Sequence, residues 1–433
     1  MLKKTTYMGI MLGATLTLGA CSTKVEETQV EVVTEIENPI TIDFWHSMSG
    51  ELGEVLGDIV DEFNQSIGKE KGITVEATYQ GGYIDAKAKV MASLKSGNAP
   101  EIVQGTNSDI MEIIKSGYIQ ELNPYIFNED IGIKDFEDIY EVYRNESKGY
   151  TNDGKYYSLP FSKSTDLLFY NETFFTEHGL SVPTTWDELV EVSKQITDIT
   201  GKPSFGIDNT ANYFITMLKQ LGGDYTNLEG ELLFNNIEAI KTLEMLQNSI
   251  NDGYWRLAGE DGYCSTPFLS QNLHMYIGSS AGTNYLITDD FNWEATAIPQ
   301  WDDENQANIS QGNNVAIINQ NKTSEEVYGA YEFIKYLVSY EGNLKWATNT
   351  GYLPVRESVA NSSEYQEIMS HNSDKQNAVK SIQHGFIEAT FVHDNLSSNI
   401  VRSTVGTMIE SIVTNGTSIE EELEFTINQL NKY

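Results

Sequence analysis

The sequence predicts an α/β protein that is built from at least two units. Short strand-like apolar runs alternate with stretches in which apolar residues recur three and four positions apart, as in strands joined by crossover helices. The turn-forming sequence Asn152-Asp153-Gly154 marks a change of character near Tyr150. A chain of 433 residues is also longer than one ordinary hydrophobic core organises.

The amino-terminal segment predicts a secretory leader over residues 1–20. Lys3 and Lys4 give the segment a basic start, and residues 8–18 form an apolar run that glycines interrupt. The run is shorter than the roughly 20 residues that cross a bilayer. We therefore expect a signal peptide that is removed.

The end of the leader, where Leu18-Gly19-Ala20 precedes Cys21, carries a further signal. It resembles the lipobox of bacterial lipoproteins, in which the cysteine thiol receives diacylglycerol and becomes the first residue. The resemblance implies lipidation of Cys21 and anchoring at the extracellular face of the cytoplasmic membrane, which two or more acyl chains hold stably. Residues 21–38 are polar and predict a flexible tether. The alternative is a plain signal peptide in which Cys21 stands by chance.

The first unit is predicted to begin near Pro39 and to repeat a strand followed by a helix three times. Apolar residues such as Leu52 and Val55 recur at helical spacing, and Gly97 and Gly117 end two of the helices. The predicted strands are 40–45, 73–79 and 102–104, and the predicted helices are 52–63, 84–96 and 108–117. This order implies parallel strands.

The second unit is predicted to open with a hairpin, whose turn Asn152-Asp153-Gly154 joins Tyr150 to a strand at 155–159. Thr185-Trp186-Asp187-Glu188 is a capping box that begins one helix, and Ser418 caps the last helix. The other predicted strands are 167–170, 273–277, 295–298 and 314–318, and the helices are 186–196, 236–250, 324–338 and 419–430.

The composition excludes several classes of function. A formal net charge of −36 argues against nucleic acid and against direct adhesion to anionic lipid. Cys264 is the only cysteine besides Cys21, so we expect no intrachain disulfide. The six histidines stand in no short metal-ligand spacing, so we expect neither a metal site nor a cofactor.

The chain also lacks a recognisable catalytic signature. It has no Gly-x-Ser-x-Gly elbow, and residues 278–282 lack the lysine of a phosphate-cradling loop. That segment has two interpretations, a turn into a helix or a loop that lends hydroxyls and amides to a ligand. Beside the export signal, these absences favour binding over turnover, so we do not expect an enzyme. The 24 tyrosines suit stacking on sugars, because tyrosine combines an apolar face with a polar group.

Five stretches, in this order and spacing, carry a resemblance to a known family. They are Phe44-Trp45-His46-Ser47-Met48, Gly97-Asn98-Ala99-Pro100, Leu159-Pro160-Phe161, Leu168-Phe169-Tyr170-Asn171 and Thr350-Gly351-Tyr352-Leu353-Pro354. From Pro39 to its end, the chain resembles the extracellular solute-binding proteins of ABC importers, in the class that carries sugars and glycerol phosphates.

The resemblance implies a two-lobe α/β fold like that of periplasmic binding proteins, with a hinge and a ligand cleft between the lobes. One lobe would combine residues 39–146 with 299–345, and the other would combine 147–298 with 346–433. We expect a monomer that delivers its solute to ABC permease subunits in the membrane.

Within that class, the opening of the chain resembles the glycerol-3-phosphate and glycerophosphodiester binders. Five residues match ligand contacts of those binders: Tyr83, Ser164, Ser280, Gly312 and Tyr352. Two positions depart from the pattern. Asn107 replaces a glutamate that holds the glycerol hydroxyls, and His393 and Asp394 stand where the phosphate-binding arginine is expected.

These departures favour a neutral carbohydrate as the solute. A buried phosphate without a guanidinium partner costs several kcal/mol. Trp45, Tyr83 and Tyr352 are the predicted stacking or lining residues, although Trp45 could equally belong to the core and Tyr352 could brace the turn at Gly351. The remaining predicted contacts are polar: His46, Asn107, Ser164, Ser280 and Asp394.

The sequence therefore predicts a substrate-binding lipoprotein that captures a mono- or oligosaccharide. The first alternative is a binder of glycerol-3-phosphate or a glycerophosphodiester in the same class. A surface enzyme that processes glycans and a surface scaffold lipoprotein are the remaining hypotheses.

Overall fold

The computed structural model describes residues 31–433 of the chain. The predicted leader, Cys21 and the first part of the predicted tether lie outside the described residues. The described part is a mixed α/β structure that begins its first strand at Ile40, one residue after the expected start of the folded region.

Twelve strands form within residues 31–433. They are β1 (Ile40–His46), β2 (Ile73–Tyr79), β3 (Ile102–Gly105), β4 (Leu159–Asn171), β5 (Phe205–Ile207), β6 (Trp255–Leu257), β7 (Met275–Ser279), β8 (Trp293–Ala297), β9 (Asn308–Ile317), β10 (Gly385–Phe386), β11 (Val392–His393) and β12 (Leu396–Ser397).

Eighteen α-helices and four short 3-10 helices accompany these strands in the same part of the chain. The α-helices are α1 (Glu51–Gln65), α2 (Ile67–Lys71), α3 (Tyr83–Ser96), α4 (Asn107–Ser116), α5 (Asn123–Ile126), α6 (Glu141–Lys148), α7 (Glu172–His178), α8 (Trp186–Thr200), α9 (Thr210–Gln220), α10 (Ile237–Asn251), α11 (Ser265–Leu269), α12 (Ser324–Leu337), α13 (Tyr340–Asn349), α14 (Glu357–Ala360), α15 (Ser363–His371), α16 (Ser373–Ser381), α17 (Ser398–Asn415) and α18 (Ile419–Leu430).

Local sequence signals account for many of the helix ends. Thr185 accepts a hydrogen bond from the Glu188 amide in a complete capping box, and Ser418 caps α18 through the Glu421 amide. Gly97 and Gly117 follow α3 and α4 with left-handed backbone angles. The predicted helix boundaries therefore hold where a cap residue marks them.

The main sheet is mixed rather than parallel. Its strand order is β2-β1-β3-β9-β4-β7-β5-β6, with β8 paired to β4 and β10 to β9. The predicted parallel pairing is confirmed for β1 with β2 and β3. Strand β9, for which the sequence predicted no direction, runs antiparallel to both β3 and β4.

The sheet extends through two lobes, as the family resemblance implied. In each lobe both faces of the sheet are covered by apolar clusters. The first lobe packs around Phe44, Ile102 and Val315 on one face, and the second lobe packs around Leu168 and Phe205 on the corresponding face. Smaller clusters cover the other face in each lobe: Val103, Ile110 and Ala316 in the first, and Leu167, Phe169 and Phe268 in the second. The core of the first lobe also includes Tyr156, Leu159, Phe161, Trp346 and Val355. The predicted division of the chain between the lobes stays a prediction.

The hairpin predicted around residues 152–154 does not form. Asp153 closes a local turn by accepting hydrogen bonds from the Lys155 amide and the Tyr157 hydroxyl. The backbone after this turn forms its hydrogen bonds with other segments. The Tyr156 amide donates to the Asn123 side chain, and the Tyr157 amide donates to the Ser147 carbonyl. Strand β4 consequently begins only at Leu159.

Strands β4 and β9 connect the lobes. Strand β4 contributes Phe161 to the first core and Leu168 to the second, and β9 contributes Ile309 to the second core and Val315 to the first. The two strands pair antiparallel from Leu159 to Thr165 of β4. A third crossing segment lies beside them, where the Leu353 amide donates to the Lys163 carbonyl at 2.7 Å.

A glycine is required where β9 pairs with Lys163 of β4. Gly312 has φ of +108°, and a Cβ atom there would lie 1.9 Å from the Ser162 carbonyl oxygen. The backbone of one of these two paired strands must move before a side chain fits at residue 312.

We expect Gly312→Ala to lower the free energy of unfolding by about 3 kcal/mol or more, because strain at the positive φ adds to the backbone clash. Gly416→Ala is the matched control, since Gly416 also has a positive φ of +62° but open space around the added Cβ. That control should lose about 1 kcal/mol. Urea unfolding of both variants measures the difference, and equal losses would contradict this account of the crossing.

Candidate functional site

Several of the predicted site residues lie on or beside strand β4, on one or the other of its two faces. Successive side chains of a strand alternate between its faces. Ser162 and Ser164 therefore share one face, and Lys163 points to the other. Each face carries its own set of polar and aromatic groups.

The Ser164 face holds a group that we call the tyrosine cleft, defined by Tyr83, Ser164, Ser280 and Tyr352. The hydroxyls of Tyr83, at the start of α3, and Tyr352, in the third crossing segment, lie 3.3 Å apart. Ser280 follows β7 in the second lobe, and its hydroxyl accepts the Thr165 amide of β4 at 3.3 Å. The structure thus brings the Tyr83 and Tyr352 hydroxyls together and places Ser280 against Thr165, the residue that follows Ser164.

Tyr352 is held rigidly in this group. Its ring stacks on Trp346, with the ring centroids 5.5 Å apart and the planes inclined by 19°, and the residue is 5% exposed. Burial, with the nearby phenols of Tyr83, Tyr285 and Tyr263, raises the pKa of Tyr352 well above its usual value. Its hydroxyl is therefore neutral and can donate a hydrogen bond.

Tyr83 differs from Tyr352 in that 49% of it is exposed. It opens α3 directly after Gly81 and Gly82, and Gly81 has φ of +99°. This bend brings the Tyr83 hydroxyl to the crossing segment. The exposed ring of Tyr83 offers an apolar face that a solute can cover.

Asn107 lies on the opposite face, in what we call the Lys163 cluster: Asn107, Glu146, Tyr150, Lys163 and Asn314. The Asn107 amide donates to Glu146 at 2.6 Å, and its carbonyl accepts from Asn314 at 2.9 Å. Lys163 and Glu146 form an ion pair at 2.5 Å, and both side chains are at most 2% exposed. The hydrogen-bonding groups of Asn107 are therefore occupied by the protein in this structure.

The other predicted residues lie apart from the tyrosine cleft. Trp45 is half-buried and packs against the smaller core cluster of the first lobe. His46 is buried, its Nδ1 accepts the Met48 amide, and burial lowers its pKa to about 4. Asp394 is exposed, with φ of +46°, in the turn between β11 and β12. Gly312 contributes its backbone to the pairing of β9 with β4.

Sequence reasoning missed a buried charged network beyond Ser164. Asp166, two residues further along the same face of β4, accepts from Gln311 at 2.6 Å and from Asn212 at 3.3 Å. Arg402 of α17 donates to Asn212 and pairs with Glu388 at 2.6 Å. The alternation of Ser162, Ser164 and Asp166 in the sequence was the available signal.

The electrostatics of this network follow from its burial. Burial raises the pKa of the Asp166 carboxyl to about 6, against the opposing hydrogen bonds from Gln311 and Asn212 and the charge of Arg402. Asp208 adds to the rise through repulsion between the two carboxylates. Asp166 is thus close to half-protonated in mildly acidic solution.

Three cations bordering these groups have carboxylate partners. Lys163 pairs with Glu146, and Arg402 pairs with Glu388. Near Tyr83, Lys87 lies 2.7 Å from Glu112 and 3.4 Å from Asp109. Lys375 instead donates to the backbone carbonyls of Ala347 and Thr350, just before the segment that holds Tyr352.

Residues 31–433 contain no group of three histidine, cysteine, aspartate or glutamate side chains placed to hold a metal ion. Within the same range, no helix is long and apolar enough to cross a membrane.

Two α/β lobes joined by crossing strands, with polar and aromatic groups gathered between them, define the class of two-lobe binding proteins that enclose a small solute. The chain belongs to the bacterial extracellular solute-binding proteins, whose family profile matches residues 58–372. It is the substrate-binding protein of an ABC importer, as the resemblance implied.

Individual relatives differ in the solute that they bind. The sn-glycerol-3-phosphate-binding periplasmic protein UgpB of Yersinia pseudotuberculosis is 28% identical over 331 residues, which cover 72% of this chain and 74% of the relative. The cyclic α-maltosyl-1,6-maltose binding protein of Arthrobacter globiformis has a similar fold, with a TM-score of 0.77, 23% identity and coverage of 91% and 99%. UgpB of Mycobacterium tuberculosis, in complex with glycerophosphocholine, has a TM-score of 0.79, 20% identity and coverage of 91% and 98%.

The raised pKa of Asp166 predicts a pH-dependent stability. Below pH of about 3.8 the carboxyl is protonated in both the folded and the unfolded chain. Between pH values of about 4 and about 6 the folded chain binds this proton more tightly than the unfolded chain does. The free energy of unfolding therefore falls as the pH rises through this range. Relative to Asp166→Asn, the native chain should lose up to about 3 kcal/mol over that window and then remain level. Urea unfolding of both proteins at several pH values measures this loss, and a constant difference from pH 4 to 7 would show an ordinary carboxyl.

Proposed function

We propose that this solute-binding protein captures a neutral carbohydrate between its lobes, at the tyrosine cleft, and delivers it to an ABC permease. The observation that carries the proposal is the pairing of Lys163, Arg402 and Lys87 with carboxylates. Lys163 is fully buried in its pair and Arg402 is half-buried in its own, so neither has a free charge for a phosphate. Moving either pair apart to bind an anion would leave a carboxylate buried and uncompensated.

The aromatic groups of the cleft also suit a sugar. A sugar ring has an apolar face that packs on tyrosine and a rim of hydroxyls that need hydrogen-bond partners. Tyr83 offers an exposed face, and its hydroxyl lies 3.3 Å from the hydroxyl of Tyr352. These neutral groups match a ligand without net charge.

A second candidate solute is glycerol-3-phosphate or a glycerophosphodiester. Its support is the 28% identity to a relative that carries this function in its name. Arg402 would then have to leave Glu388 to reach a phosphate. The Glu388 carboxylate would then have to move away from the phosphate.

We further propose that Cys21 carries a lipid anchor, as the residues before it predict. Residues 21–38 would then hold the lobes close to the membrane. Tethering raises the effective concentration of the protein near its permease, which favours repeated delivery. Mass spectrometry of the protein recovered from bacterial membranes tests this, and an unmodified Cys21 thiol would contradict it.

Calorimetry on the purified chain with sugars and phosphates tests the solute. We expect saturable binding of a mono- or oligosaccharide and no heat from glycerol-3-phosphate or glycerophosphocholine. Tyr83→Ala should weaken sugar binding by roughly 10-fold to 100-fold, because it removes one stacking face and one hydroxyl worth about 1–3 kcal/mol together. Tyr433→Ala is the matched control, since Tyr433 is also 49% exposed but lies at the carboxyl terminus.

Two outcomes of that experiment count against the proposal. Binding of glycerol-3-phosphate with no sugar response would replace the carbohydrate by the second candidate. Sugar binding that Tyr83→Ala and Tyr433→Ala leave equally unchanged would move the solute away from the tyrosine cleft.

A further inference from the structure

The segment that leads into β1 is attached to the first lobe, although it forms no helix or strand. We call residues 32–38 the strap. Val32, Val33 and Ile36 of the strap are half-buried and pack against the hydrophobic core of the first lobe. The polar residues between them are exposed. The strap therefore turns its apolar side chains towards the lobe and its polar side chains towards solvent.

Hydrogen bonds fix the end of the strap that is nearest to β1. The Glu37 amide donates at 2.9 Å to the carboxylate of Glu325, which lies in the first turn of α12. The Ile40 amide donates at 2.9 Å to the carbonyl of Gly72, in the turn between α2 and β2. The strap thus joins two parts of the first lobe that are distant in sequence.

The composition of the strap favours this docked arrangement over a free chain. Removal of apolar surface from water is favourable in proportion to the area that is covered. A free chain would leave the two valines and the isoleucine in water. The exposed carboxylates of Glu31 and Glu35 keep the outer side of the segment solvated.

The strap lies at the end of the first lobe that is remote from the predicted site residues. It leads into the beginning of β1, which pairs in parallel with β2 and β3. Tyr83 and Asn107 begin the helices that follow the carboxyl ends of β2 and β3. Strand β1 has seven residues, which span about 20 Å at the usual rise. The strap and these residues are therefore separated by about the length of this strand.

We propose that the strap stays docked in the anchored protein and thereby limits how far the first lobe can move from the membrane. The chain from Cys21 to Val32 spans at most about 40 Å, whereas a free chain from Cys21 to Pro39 would span up to about 65 Å. Docking also directs the strap end of the lobe towards the membrane and the end with Tyr83 away from it. The limit on distance rests on the proposed lipid anchor at Cys21, but the docking does not.

Spin labels on Thr34→Cys in the strap and Asp61→Cys in α1 test the docking, in the chain from residue 21 with Cys21→Ser. Both labelled positions are exposed. We expect one narrow distance distribution, because the docked strap keeps a fixed position on the lobe. Replacing the three apolar residues together, in Val32→Ser/Val33→Ser/Ile36→Ser, should broaden this distribution severalfold.

Glu31→Ser/Glu35→Ser is the matched control, because both residues are exposed in the same segment, and its distribution should stay narrow. A native distribution as broad as that of the triple serine variant would overturn the docking.

Energy transfer on vesicles tests the limit on distance. The chain from residue 21 is coupled through its Cys21 thiol to a maleimide lipid, with a donor dye on a ketone-bearing residue at position 61 and an acceptor on the lipid headgroups. We expect lower transfer in the triple serine variant than in the native chain, because release of the strap lengthens the tether. Equal transfer in the two proteins would contradict the limit on distance.

The chemical coupling replaces the natural lipid, so this experiment does not depend on lipidation of Cys21 in the cell. An unmodified Cys21 in protein recovered from bacteria would remove the anchor and leave the docking of the strap intact. The two proposals can therefore fail separately.

Discussion

The pairing of β4 with β9 is the constraint on which the rest of the structure depends. Both strands pass from one lobe to the other, and their hydrogen bonds run across the junction. Gly312 allows the close approach to Ser162, and the buried pair of Lys163 with Glu146 fixes α6 against the same strand. Because few segments cross between the lobes, bending at these strands can change the interlobe space while each core stays packed.

A strand that joins two lobes also separates two environments. The Ser164 face gathers tyrosines and hydroxyls from both lobes, and the Lys163 face gathers an ion pair and amides. Alternation along one strand therefore assigns neighbouring residues to different chemistry. The ion pairs of Lys163 with Glu146 and of Arg402 with Glu388 are both made within the protein.

The sequence predicted much of the fold because local signals agree with the tertiary structure. Capping residues such as Thr185 and Ser418 set helix starts, and the family resemblance supplied the two lobes. The antiparallel course of β9 and the absent hairpin at 152–154 were not predictable, since both depend on partners distant in sequence, such as Asn123 for Tyr156. The approach of Tyr83 to Tyr352 was expected only by resemblance. The Arg402 network escaped notice because nothing near Arg402 in the sequence points to Asp166 or Glu388.

We propose that the lobes close around a neutral carbohydrate. The most direct measurement is the distance between spin labels on Asp61→Cys in α1 and Glu191→Cys in α8, which are exposed sites in the first and second lobes. Cys21→Ser removes the other cysteine of the chain, and buried Cys264 stays unlabelled. The account predicts that saturating sugar narrows and shifts the distance distribution, whereas glycerol-3-phosphate leaves it unchanged. A distribution that moves with glycerol-3-phosphate and not with any sugar would contradict it.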